Sequence, residues 1–173
     1  DSSKQAEGNL KLEKLDVPRD AELTTFQNFL LIHLRSEFNG FPQGALLAQT
    51  QNARGSTWHI LWTPRREERA GTSRSSTLQN IVCTRNFLVL QILDNLTGQL
   101  LVLRHDEGAW VQQWKSSGSD DSLFSLSVRA VSENSDGLWI GRAGFREPPT
   151  LFYAEDIGSG RSRTGNRSLE ACA

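Results

Sequence analysis

From about residue 50 onward, apolar side chains return at every second position, and no other feature of this chain narrows its fold more. A period of two puts successive side chains on opposite sides of an extended backbone, so each such run reads as a strand with one face turned to a core. "STWHILWTPRREE", Ser56 to Glu68, sets Trp58, Ile60 and Trp62 against His59 and Leu61. "AWVQQWK" groups Trp110, Gln112 and Trp114, and "LFSLSVRAVS" sets Phe124, Leu126, Val128 and Ala130 against Ser125, Ser127 and Arg129. "NFLVLQIL" is nearly continuous in apolar residues, as a strand covered on both faces is. "LQNIVCT", "LLVLR", "GLWIGRAG" and "TLFYAED" bring the count to about eight strands. "DNLTGQ" and "HDEG" carry the chemistry of tight turns, the glycine of the second being free to take positive φ.

Before that change of period the spacing is helical. Leu23, Phe26, Leu30 and Leu34, widened by Phe29 and Leu31, predict a helix over residues 21–38, with Asp20 as its N-cap. "NGFPQG", Asn39 to Gly44, predicts its end, since Asn-Gly supplies a left-handed stop and proline cannot continue a helix. No helical crossover separates the later strands, so they are expected to pair antiparallel. Eight meandering strands form a sandwich or close into a barrel, and the expected fold is mainly β: an antiparallel, eight-stranded, calycin-like barrel with one N-terminal helix. The expected boundaries are a flexible arm over 1–20, a single barrel domain over 21–157 and a flexible tail over 158–173, "GSGRSRTGNRSLEACA" being its compositional mark.

Composition excludes more than it selects. A length of 173 residues suits one core, and a formal net charge of −1 exerts no global pull on nucleic acid or an anionic membrane. No apolar stretch is long enough to span a bilayer. Fifteen arginines stand against four lysines; codon bias accounts for that as well as a need for planar anion-binding forks does. Cys83 and Cys172 make neither a metal cluster nor a disulfide framework, and Cys83 reads as a small core residue. The three histidines lack metal-site spacing, and no nucleophile elbow, phosphate loop or dinucleotide fingerprint is present. The chain begins at Asp1 without a methionine, so a removed presequence is an open expectation.

The remaining candidates are ligand-binding residues: Trp58, His59, Trp62, Trp110, Trp114, Trp139, Arg142 and Arg146. Tryptophans four apart on a strand share a face, so Trp58 with Trp62, and Trp110 with Trp114, form either an aromatic wall or ordinary core. Arg142, if it shares the face of Leu138 and Ile140, projects inward and needs an anionic partner, either a ligand acid or a protein carboxylate such as Asp136 or Glu147.

Glu37, Phe38, Asn39, Gln43 and His59, followed by an arginine and proline, and then Trp139, Gly141, Gly144, Pro148 and Phe152, together resemble motifs of the T-type phycobilin lyases. The resemblance implies a calycin barrel that binds a hydrophobic or tetrapyrrole ligand and delivers a bilin to a cysteine of a phycobiliprotein subunit, with arginines on the propionates. It implies no cofactor beyond that bilin. A plastid or the cyanobacterial cytoplasm would be its location, whereas use of the sequons at Asn95 and Asn166 would mean secretion. The alternative is a non-enzymatic β-domain interaction module whose own side chains fill the core. An oligonucleotide-binding barrel fits the near-neutral charge least well.

Overall fold

A computed structural model describes residues 14–50, 57–69, 72–116, 124–145, 148–158 and 170–171. Thirteen strands lie among them: β1 (Glu22–Phe26), β2 (Phe29–His33), β3 (Leu46–Thr50), β4 (His59–Trp62), β5 (Arg66–Arg69), β6 (Thr72–Cys83), β7 (Leu88–Asp94), β8 (Thr97–Asp106), β9 (Ala109–Lys115), β10 (Phe124–Ala130), β11 (Leu138–Gly144), β12 (Thr150–Ala154) and β13 (Glu170–Ala171). Every pairing is antiparallel, and strands neighbour one another in chain order. They form three sheets, β1–β4, β5–β9 and β10–β13. The mainly β, antiparallel expectation holds.

The N-terminal helix does not form. Residues 21–38 instead hold the β1–β2 hairpin, turning at Gln27, whose φ is 52°. "FLLIH" is apolar at adjacent positions because β2 is covered on both sides, and such a run mimics a broad helical stripe. Phe29 and Leu31 enter one cluster while Ile32 and Leu34 enter another. Asn39 and Gly40, at φ 47° and 80°, are the centre of a two-residue hairpin in which the Phe38 and Phe41 amides donate to each other's carbonyls. Asp20, expected as a cap, accepts from the Ser36 hydroxyl at 3.1 Å.

Nor does a barrel close. Each sheet keeps two edges, because the chain begins a new sheet after β4 and again after β9. Alternation along a strand specifies its inside and outside but not which strand lies beside it, so the same rhythm serves a closed wall and a series of stacked meanders.

The sheets stack through their faces. Phe26, Phe29, Leu31, Leu46 and Ala48 of the first sheet pack on Leu78, Leu88, Leu90, Ile92, Leu101 and Leu103 of the second. The second sheet's other face, with Val82, Val89, Leu100 and Val102, packs on Val128, Leu138 and Ile140 of the third. β7 reads as a continuous apolar run because it faces both clusters. The outer face of the first sheet is also buried, Ile32, Leu34, Ala45 and Leu47 being covered by Val17, Ala21, Phe38, Phe41 and Trp58 among others.

Candidate functional site at the inner hairpins

Hydrogen bonds link β1, β6 and β10, one strand from each sheet. The Cys83 thiol of β6 donates to the Thr25 carbonyl of β1 at 3.7 Å, and the Asn80 side chain donates to the Val128 carbonyl of β10 at 3.4 Å. Gln91 of β7 donates to the Leu126 carbonyl at 2.6 Å. The turns of the β1–β2, β6–β7 and β10–β11 hairpins are tied in series. Gln27 donates to the Arg85 carbonyl at 3.3 Å, and the Arg85 amide donates to the Ser135 carbonyl at 3.2 Å.

Asp136 is the anchor of this polar rim. One carboxylate oxygen accepts the Thr84 hydroxyl and the Asn86 amide, both at 2.8 Å, and the other accepts the Asn86 side chain at 2.6 Å. Burial pushes its pKa up, but the donors from Asn86 and Thr84, with the charge of Arg85, outweigh that and hold it below the usual carboxylate value. An aromatic corner flanks the rim: Phe29 lies 4.5 Å from the His105 ring and 5.0 Å from that of Trp110, which is 5.9 Å from Phe26. The Trp110 indole nitrogen is buried without a hydrogen-bond acceptor among the described residues, and its ring lies edge-on to Phe29.

At the other end of β1, the Glu22 carboxylate accepts from Arg35 and lies 3.4 Å from His33 Nδ1. The hydrogen bond from Arg35, aided by His33, lowers the Glu22 pKa against a smaller effect of burial. Burial lowers the pKa of His33, and Arg35 adds to it, while Glu22 opposes both. An ionised carboxylate only accepts, so Nδ1 of the neutral imidazole carries the proton.

The tryptophans are dispersed rather than gathered into a wall. In β4, Trp62 pairs with Leu46 and Ile60 with Leu47, so a bulge at Leu61 turns Trp58 and Trp62 to opposite faces. Trp58 packs with Phe38 in the outer cluster, and Trp62 in the first inter-sheet cluster. A second bulge, where Trp114 pairs with Val102 and Gln112 with Leu103, parts Trp110 from Trp114 in the same way. His59 is exposed at the edge. Trp139 faces outward from the third sheet, its ring 4.8 Å from Tyr153. Arg142 does share the face of Leu138 and Ile140, its guanidinium 4.5 Å from the centre of the Phe124 ring. Asp136, one carboxylate expected to pair with it, is held by Thr84 and Asn86; Glu147 and Arg146 lie outside the described residues. Cys83 is a free thiol, and burial followed by the charge of Glu133 pushes its pKa up.

Sequence reasoning missed Thr84, Asn86 and Gln27. The signal available was the polar content of "TRN" and "ENSDG" at turns, which reads equally well as plain solvation.

With this geometry in place, comparison with known proteins corrects the functional expectation. No family model matches the chain. The fold is similar to that of a post-proline cleaving enzyme from Rickettsia typhi, with a TM-score of 0.67 and 21% identity over 86% of this chain and 22% of that one. A curated protein, the uncharacterized peptidase y4nA of Sinorhizobium fredii (strain NBRC 101917 / NGR234), is 36% identical over 72 residues. Those residues are 42% of this chain and 10% of that protein. The chain thus spans about a fifth of the solved enzyme and a tenth of the curated relative. The resemblance to phycobilin lyases is overturned by both findings, and the bilin, lyase and phycobiliprotein expectations fall with the calycin barrel. Among the described residues, no helix is long and apolar enough to cross a membrane.

Proposed function

We propose that this chain is a β-sheet portion of a larger peptidase that cleaves after proline, and that its sheets are neighbouring blades of a β-propeller. Consecutive antiparallel meanders of four or five strands, stacked by their faces, have the arrangement of such blades. The observation that carries the reading is the fold likeness across 86% of the chain to a post-proline cleaving enzyme. The 36% identity to a protein named as a peptidase supports it independently.

In this reading the portion shapes the approach of a peptide and does not break the bond. Its described histidines are otherwise engaged: His33 is buried against Glu22, His105 is packed on Phe29 and Trp110, and His59 lies exposed at an edge. A nucleophile needs a base within hydrogen-bond reach.

Fluorogenic peptides with proline or alanine before the scissile bond test this. The 173-residue chain alone is expected to cleave neither, and the longer polypeptide containing it to cleave the prolyl peptide preferentially. Cleavage by the 173-residue chain itself, or equal rates on both peptides, would refute the reading.

A further inference from the structure

Asn39–Gly40 is the only Asn-Gly pair in the chain. It forms the exposed tip of the excursion between β2 and β3. The base of that excursion is closed where the Leu34 amide donates to the Ala45 carbonyl at 2.9 Å and the Gly44 amide donates to the Leu34 carbonyl at 2.8 Å. Both tip residues hold positive φ, and the hairpin is fastened by the isolated pair Phe38 and Phe41, at 3.1 and 2.8 Å. Among the described residues, neither the Asn39 side chain nor the Gly40 amide takes part in a hydrogen bond. Apart from its chain neighbours, no atom lies within 4 Å of the place a Gly40 side chain would occupy. Beneath the tip, Phe38 and Phe41 pack on Ile32, Leu34, Ala45 and Leu47, and the Phe38 ring lies 6.4 Å from that of Trp58.

We propose that Asn39–Gly40 is a self-modifying site, whose conversion to isoaspartate unfastens the Phe38 and Phe41 cover from the first sheet. The Gly40 amide nitrogen gives its proton to solvent and attacks Asn39 Cγ. A C–N bond forms, the Cγ–Nδ2 bond breaks, and ammonia leaves with a proton taken from water. Water then adds to either carbonyl of the five-membered imide and breaks one of its ring C–N bonds, leaving aspartate or isoaspartate at position 39. Glycine favours the attack because no side chain shields its nitrogen, and the open space around Gly40 leaves the approach clear. Ring closure turns the Asn39 Cα–C bond and breaks the Phe38–Phe41 pair, and one isolated pair opens more readily than a strand within a ladder. The isoaspartate product carries an extra main-chain methylene, so a two-residue turn no longer joins Phe38 to Phe41 in register. Two other positions show why this one is singled out. Asp136 also precedes a glycine, but its carboxylate is held by Thr84 and Asn86, and a Cβ on Gly137 would lie 3.1 Å from Val131. Asn86 is fixed by its 2.6 Å bond to Asp136 and precedes the buried Phe87.

The inference is independent of what the chain hydrolyses. Its test compares the 173-residue chain when fresh and after warm storage in mildly alkaline buffer. Trypsin releases the peptide Ser36–Arg54, in which fragmentation by mass spectrometry locates the change. Asn39 is expected to become aspartate and isoaspartate several-fold faster than Asn80, Asn86, Asn95 or Asn134. The stored protein is expected to melt at a lower temperature, with faster hydrogen exchange at the Leu34 and Ala45 amides. Asn39→Asp carries the new charge without the extra methylene, so when fresh it is expected to melt as the fresh parent does. Asn39→Gly keeps the positive φ without the side-chain amide and is expected to hold its melting temperature through storage. An Asn39 that stays an amide, or converts no faster than the other named asparagines, overturns the proposal. So does an isoaspartate-bearing chain that melts and exchanges like the fresh one, or a storage loss that Asn39→Gly shares.

Discussion

His33 illustrates how one buried side chain couples this fold to pH. It is 6% exposed, and its folded pKa lies below the ordinary 6.5, so the folded chain keeps it neutral while the unfolded chain takes up a proton. The stability it contributes is therefore present above about pH 6.5 and is lost as the pH falls through its folded value. Glu22 is also lowered, from 4.5, and acts in the same direction further into acid. Thermal melts are expected to shift downward between roughly pH 7 and pH 5, the interval in which a histidine ordinarily titrates. His33→Gln should flatten that shift, and an unchanged slope in the variant would show that His33 is not its source. The sequence displayed His33, but its partner became visible only once β1 and β2 paired Glu22 opposite it.

Among the elements, tight hairpins were the most legible and face assignment the least. "HDEG" and "DNLTGQ" are turns as their chemistry predicts, with Glu107 and Gly108 at φ 46° and 86°, and Asn95 and Leu96 at 47° and 70°. Leu96 is 68% exposed, so its side chain offsets little of the cost of a left-handed backbone. Leu96→Gly should raise stability by about 1 kcal/mol, read as a higher denaturation midpoint at unchanged slope. The bulges in β4 and β9 escaped sequence reading because one extra residue leaves the local alternation intact and changes only which partner it meets. Gly98 shows the converse, a position whose role exists only in the packed state. A Cβ there would lie 2.9 Å from Leu126 Cγ and 3.1 Å from its backbone nitrogen. Gly98→Ala should force β8 and β10 apart and cost about 1–3 kcal/mol, and a neutral result in a urea titration would contradict the close approach.

On the scale of the molecule, the middle sheet holds the stack together, because its two faces belong to two different cores. Leu90, fully buried in the first of them, is the position to test. Leu90→Ala is expected to lower stability by about 2–5 kcal/mol while unfolding stays a single transition by fluorescence and by circular dichroism. Two resolved transitions would instead mean that the sheets fold as separate units. Sequence alone determined that this chain is built of antiparallel strands, where most of its turns fall, and that residues 88–92 are covered on both sides, because these follow from spacing within a few residues. The missing helix, the bulges that scatter the tryptophans, the Asp136 anchor and the division into three stacked sheets were decided by tertiary structure. Each of these depends on which distant strand supplies the neighbour, and a rhythm of period two carries no information about that.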